Sequence, residues 1–359
     1  MRYSKLRAAI IGSTMAVKVR RGEKGAGMQQ LKFCYYNKMA EKDMTEQLNA
    51  QLQVRYIKLH FHLHMLEDTW LPRNKVSALR GGMGEMLLRS NCIRDRECPD
   101  CDFAGECIVR RIMYSRMEIQ PDFMHQGDSV GYVVECEDYR EEYRAGDMLA
   151  FQLILFGKNI VYFHQYMQAF AYLGRKGLGK NRAHFSIESV TNSQCEKLVE
   201  GGQIYKNNFT VQTLAEYVKY RMRERRREDI LLFHTPLTLK YQGRIMEGFQ
   251  TEAVMAAIAR RLYILACFEG IDAGKADISG HVPDLISQRV RKSAVARYSS
   301  THDEKIWLKG IRGSARIGMP DETAKILLYA GELMHIGKNT SFGFGRYSLA
   351  LEKRGIGIE

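Results

Sequence analysis

Two stretches, IVYFHQYMQAFAYLGRKGLGKNRAHFSIESV (residues 160–190) and DETAKILLYAGELMHIGKNTSFGFGRYSLALE (residues 321–352), decide the fold. In the first, Ile160, Phe163, Met167, Phe170 and Ala171 recur at helical spacing, and the turn GRKGLGKNR then leads into a strand, AHFSIESV. In the second, Pro320 and Asp321 open a helix that runs to Ile336, and a second glycine-rich turn leads into the strand RYSLALE. The same helix, turn and strand thus occur twice. Upstream of the first copy, Ile57, Leu59, Phe61, Leu63 and Met65 alternate with Lys58, His60, His62 and His64, the period of a half-buried strand. Ser77 is placed to cap a helix carrying Leu79, Met83, Met86 and Leu87, and Gly131–Cys136 and Met148–Phe156 read as strands. Upstream of the second copy, Ile230–Lys240 reads as a strand, Glu252–Phe268 as a helix, and Glu304–Ile317 as a strand pair interrupted by glycines. Two β-α-β-β-α-β halves follow: an α+β protein of two tandem ferredoxin-like domains, with antiparallel sheets and helices on one face.

The expected organisation is an extension of uncertain structure over 1–53, a first domain over 54–195 with a cysteine-bearing insertion at 92–107, a linker or connecting helix over 196–229, and a second domain over 230–359. The basic run YRMRERRRED in the linker reads as a solvated helix face. A chain of 359 residues comfortably holds two domains. Its 54 Lys and Arg against 41 Asp and Glu leave a formal charge of +13, which suits a phosphate-bearing partner. No stretch approaches the roughly 20 apolar residues that span a bilayer. The apolar run in MRYSKLRAAIIGSTMAVKVRR is too brief for a signal peptide, and eight cysteines, four of them clustered, fit a reducing compartment; a cytoplasmic protein is expected. No phosphate-binding P-loop, dinucleotide fingerprint or HExxH zinc-protease motif is present, and carboxylate pairs occur in charged runs such as EDYREEY.

The run LRGGMGEMLLRSNC (79–92), the cluster CPDCDFAGEC (98–107), the segment from Leu153 to Val190, the pair TPLTLKYQG (235–243) and RRLYILACFEG (260–270), and the ending HIGKNTSFGFGRYSL (335–349) occur in this order. Together they resemble the CRISPR precursor-RNA processing endoribonucleases of the RAMP superfamily, over residues 54–352. The resemblance implies tandem ferredoxin-like folds, binding of CRISPR repeat RNA and one cut within each repeat. It also implies a metal-independent reaction in which a ribose 2′-hydroxyl attacks the adjacent phosphate, leaving a cyclic phosphate and a 5′-hydroxyl. Such a reaction uses a base, an acid and a cation. A non-catalytic RAMP subunit that positions guide RNA within a larger CRISPR effector is the alternative, and a zinc-stabilised interaction module a third reading.

Gly337, Gly343 and Gly345 can take positive φ and bring backbone N–H groups to an RNA strand, with Lys338 and Arg346 adding charge. Lys176, Lys180 and Arg182 occupy the equivalent turn of the first half. Cys92, Cys98, Cys101 and Cys107 have the spacing C-x5-C-x2-C-x5-C, compact enough for one structural zinc, with a thiol cluster or an iron–sulfur cluster as the other readings; no cofactor is expected for catalysis. Relatives commonly carry a catalytic histidine in or near the first helix, yet Ser77–Ser90 has none. His302, with Tyr298 and Arg297 close in sequence, His335 beside the glycine loop, and His62 on the histidine face of the first strand are the candidates, since histidine titrates near neutral pH.

Overall fold

The computed structural model describes residues 43–94, 98, 100–117, 119–124, 130–224, 227–299 and 304–351. The chain divides between residues 45 and 46, and the architecture below is that of the larger unit, 46–359. The expected extension 1–53 falls mostly outside the described residues; within it, 46–51 are helical.

Strand β1 (Arg55–Met65) buries Ile57, Leu59, Phe61, Leu63 and Met65, and turns Lys58, His60, His62 and His64 to the opposite face. The alternation fixes the register, because a slip of one residue would place the basic row in the core. A short pair, β2 (Thr69–Trp70) and β4 (Glu142–Tyr143), lies outside the sheet, while β3 (Tyr132–Glu135), β5 (Met148–Phe156) and β6 (Phe185–Thr191) join β1 in the order β3-β5-β1-β6. Helices α1 (Val76–Asn91), α2 (Ile108–Met113) and α3 (Phe163–Lys176) pack on the apolar face. Phe61 stacks on Phe151 at 4.6 Å between ring centres, and Phe170 of α3 closes on both at 5.1 and 4.8 Å. On α3 the buried residues are Phe163, Tyr166, Ala169, Phe170 and Leu173, so Tyr166 and Ala169 join the core face while Ala171 faces solvent.

The second half repeats the plan. Its sheet runs β13-β14-β10-β15, from β10 (Ile230–Leu237), β13 (Leu285–Ser299), β14 (Glu304–Ile317) and β15 (Tyr347–Ala350), with helices α5 (Thr251–Glu269) and α6 (Glu322–Met334). Both sheets carry the ferredoxin-like order, the second, third, first and fourth strands of each half standing side by side. A small hairpin, β11 (Lys240–Tyr241) and β12 (Arg244–Ile245), follows β10.

Three local expectations change. Ser77 lies inside α1, which Lys75 precedes as the capping residue, and the Val76 N–H donates to Asn74 Oδ1 at 3.2 Å. Glu304–Ile317 is one continuous strand paired along β13; Gly310 and Gly313 do not break it, because each fills a point where another strand comes close. A Cβ at Gly310 would stand 2.7 Å from Leu237 O, and one at Gly313 2.0 Å from Arg289 O. The segment 196–229, expected as a linker or connecting helix, contains a helix and also strands. Here β7 (Lys197–Glu200) and β8 (Gln203–Ile204) widen the first sheet, β9 (Gln212–Thr213) pairs with β1, and α4 (Leu214–Arg223) docks on the second half.

Within YRMRERRRED, Arg221 is far from solvated. Its guanidinium donates to Glu332 of α6 at 2.9 and 3.1 Å, to Glu228 at 3.2 Å and to Leu349 O at 3.3 Å, with 16% of the side chain exposed against 7% and 5% for the two carboxylates. Tyr217 and Tyr329 donate to the same carboxylates at 3.1 and 2.8 Å. Removing the cation would strand two buried charges, so Arg221→Ala is expected to cost about 3 kcal/mol. Urea unfolding at neutral pH measures this, with Arg221→Lys recovering part of the loss.

Candidate nucleic-acid interface

The glycine-rich segment after α6 begins with a histidine in an unusual backbone conformation. His335 has φ 56° and ψ 160°, a region nearly reserved for glycine, and its side chain is fully buried. Its Nε2 meets Glu135 Oε1 of β3 at 2.7 Å and its Nδ1 meets Phe344 O at 3.1 Å. Both ring nitrogens face oxygen, so the ring satisfies both contacts as a donor only when doubly protonated. Burial opposes that charge and the Glu135 carboxylate favours it. Glu135, 3% exposed, also receives Lys58 Nζ at 2.9 Å and Arg346 Nε at 3.3 Å, and Arg346 pairs further with Glu137. Burial alone would raise the Glu135 carboxyl, but the His335 hydrogen bond and these cations hold it well below its ordinary range.

The loop then packs back on β10. Lys338 N donates to Thr238 O at 2.9 Å, Gly345 N to Pro236 O at 2.9 Å, and Arg346 N to Thr235 Oγ1 at 3.0 Å, while that hydroxyl donates to Gly343 O at 2.7 Å. Gly337, Gly343 and Gly345 have φ of 84°, 74° and 70°. A Cβ on Gly343 would stand 2.7 Å from Val134 O of β3, and one on Gly345 1.8 Å from Ile336 O. The expectation that these glycines open backbone N–H groups to a strand therefore changes. Gly343 and Gly345 are buried, and they let the loop close on itself and on the first half. Lys338 alone among the charged residues of the loop is fully exposed.

What the loop presents outward is Phe342. The Arg80 guanidinium of α1 lies 4.6 Å from the centre of its ring, and that of Arg297 on β13 lies 4.8 Å away. Cation–π attraction holds both. Burial and the Arg80 charge push the Arg297 guanidinium below its ordinary value, which is high enough that it stays charged at neutral pH. This trio stands on a groove of about 1200 Å³ between the two halves, walled also by Arg89, Arg94, Arg110 and Arg182. Neither Arg80 nor Phe342 was legible as functional: LRGG reads as helix surface, and SFGFG draws attention to its glycines.

Of the residues expected to act together, the groove gathers Arg297, Arg182 and the four cysteines. Lys176 and Lys180 are exposed in the first-half turn, a tight hairpin closed by hydrogen bonds between Leu178 and Ala183, and do not line the groove. His62 sits on the sheet face turned away from α1, beside a separate pocket of about 400 Å³ with Glu137 and Asp138. His335, as above, is walled off behind Glu135, where no substrate reaches it. His302 and the side chain of Tyr298 lie outside the described residues. Among the described residues no group of three or more His, Cys, Asp or Glu side chains is arranged to hold a metal ion. Cys92, Cys98, Cys101 and Cys107 are half-buried, and all four line the groove wall.

The family model described as CRISPR-associated endoribonuclease Cas6 matches residues 231–347. It is over this segment of the second half that the chain resembles the Cas6 endoribonucleases. A model described as an N-terminal domain matches residues 52–216. The fold of the chain is similar to that of solved structures titled as a partial Cas6-RT-Cas1–Cas2 complex and a Cas6-RT-Cas1–Cas2 complex, each with a TM-score of 0.53 and 12% identity over 84% of this chain. This chain spans 47% of the length of the first and 30% of the second, and at that identity the likeness establishes the fold. No curated protein sequence matches the chain. Among the described residues, no helix is long and apolar enough to cross a membrane.

The buried cluster sets an acid limit on this fold. Glu135 is ionised in the native state far below the pH of about 4.3 at which an unfolded glutamate protonates, so its stabilisation is present above that pH and is lost as the pH falls. Glu135→Gln should cost about 3 kcal/mol at pH 7, and its deficit relative to wild type should shrink between pH 5 and 3. Urea midpoints across that range test the sign.

Proposed function

We propose that this chain binds CRISPR repeat RNA in the arginine groove and cuts it once within each repeat. The observation that carries the reading is the pair of guanidiniums held on the Phe342 ring at the mouth of a groove whose other charged walls are mostly arginines. Guanidinium groups suit phosphate, and a recess between two domains suits single-stranded RNA, whose unstacked bases need room. Arg80 and Arg297 serve as the cations of the reaction. The 2′-hydroxyl oxygen attacks the adjacent phosphorus and gives its proton to a base. Negative charge builds on the phosphoryl oxygens beside the arginines, the bond from phosphorus to the 5′ oxygen breaks, and an acid protonates that oxygen. The products are a cyclic phosphate and a 5′-hydroxyl, and the steps need no metal. For the base we retain His302, which follows Arg297 by five residues in the chain, with Tyr298 as an acid or stabiliser.

A second reading, an RNA-binding Cas6-type subunit that does not cut, rests on a specific observation. Among the described residues, no histidine lines the groove, and α1 contains none. Arginine holds and stabilises but does not exchange protons near neutral pH. In either reading the partners are repeat RNA and further CRISPR-associated subunits. The similar structures titled as Cas6-RT-Cas1–Cas2 complexes support the latter.

Incubation with the repeat RNA in chelator separates the two readings. A single cut ending in a cyclic phosphate supports the nuclease; tight binding without a cut supports the subunit; no binding at low salt sinks both. Arg297→Ala is expected to weaken binding about tenfold and to lower the slope of log affinity against log salt by about 0.7, the loss of one phosphate contact on a single strand. His302→Ala should abolish cutting while leaving affinity within about twofold, since it removes a proton acceptor and no phosphate contact.

A further inference from the structure

Three glycines fall within two turns of α1, at positions 81, 82 and 84. Glycine is the worst helix former after proline, so each asks for a reason. Two have one inside the protein. A Cβ on Gly82 would stand 2.6 Å from Leu173 Cδ1 of α3, and one on Gly84 2.8 Å from Met113 Cε of α2. These two let α1 settle against its neighbouring helices. Gly81 has no such reason. Nothing lies within 4 Å of where its Cβ would be, and the residue is exposed on the wall of the arginine groove, next in sequence to Arg80.

The groove gives an independent indication of what takes that space. Arg80 and Arg297 bring two like charges to one ring, and the buried Nε of Arg297 finds no hydrogen-bond partner among the described residues. Like charges held this close favour an anion between or beside them, and a phosphate is the anion that guanidinium matches best. A nucleotide whose phosphate meets these arginines needs its sugar or base to lie along the adjacent wall, which at Gly81 is bare helix backbone.

We propose that Gly81 is a positioning residue for RNA: its missing side chain lets one nucleotide lie directly on the α1 backbone, with its phosphate at Arg80 and Arg297. This rests on the RNA-binding reading above and adds a position that protein packing does not explain. Such a glycine costs folding stability and contributes to binding, and the two effects separate experimentally.

The test is a series, Gly81→Ala, Gly81→Val and Gly81→Leu, measured for thermal stability and for affinity to a fluorescein-labelled RNA of the repeat sequence. Alanine is the better helix former and meets no neighbour, so Gly81→Ala should raise Tm by about 2 °C. Affinity should fall with side-chain size, to at least tenfold weaker for Gly81→Leu, in a protein whose Tm is no lower than wild type. If wild type binds and the leucine variant binds within twofold of it, Gly81 does not seat RNA and the proposal is overturned, while the RNA-binding reading stands. A wild type that fails to bind at low salt overturns that reading and this one together. If leucine lowers Tm sharply, the space at Gly81 is not open, and the proposal is likewise overturned.

Discussion

One carboxylate, Glu135, holds the molecule in its working shape. It sits at the end of β3 in the first half, takes a cation from its own sheet in Lys58, and takes from the second half the cation of Arg346 and a hydrogen-bond contact with His335. A buried carboxylate without partners would be severely destabilising, so the second half must dock for the charge in the first to be tolerated. The same contact holds His335 in a backbone conformation costing of order 1–3 kcal/mol. That conformation turns the chain out of α6 and into the glycine loop, and the loop sets Phe342 facing α1. Charge, strain and the position of the groove are therefore one linked arrangement.

The two glycine turns show how one backbone design serves different ends. In both halves the turn leaves a helix and enters the fourth strand of a ferredoxin-like unit, and in both the glycines take positive φ. In the first half the turn is a tight hairpin, with Lys180 exposed and Arg182 on the groove wall. In the second the turn is pressed against Val134 and Pro236, and its glycines remove bulk where two domains meet. Positive φ shows only that a chain must turn sharply. What the turn faces depends on the neighbouring half.

This explains which parts of the molecule were legible in the sequence. The alternation of β1, the apolar spacing of α3 and the repeated helix, turn and strand are local patterns, and each led to the right element in the right half. Strand β13 was not legible: LISQRVRKSAVARYS is an edge strand rich in Arg, Lys and Ser, with too little apolar alternation to signal itself. Gly310 and Gly313 concealed its partner, because glycine marks a break and a close approach with the same letter. Arg221 lay within a run of charge, and charge runs usually mark solvent; only the positions of Glu228 and Glu332 reveal a buried pair.

The site was the least legible because no single segment contains it. Arg80 comes from a helix, Phe342 from a loop more than 200 residues later, and Arg297 from an edge strand between them. Each reads as ordinary alone: a surface arginine, an apolar loop residue, a charged strand residue. Together they place fixed positive charge around an aromatic face, and that charge does not titrate near neutral pH. A groove built this way holds a phosphate equally well across the physiological range and cannot itself move a proton. On the function proposed above, binding comes from the arginines and chemistry from a group with a pKa closer to neutrality. On the proposed function, that separation lets the fold retain RNA whether or not it cuts.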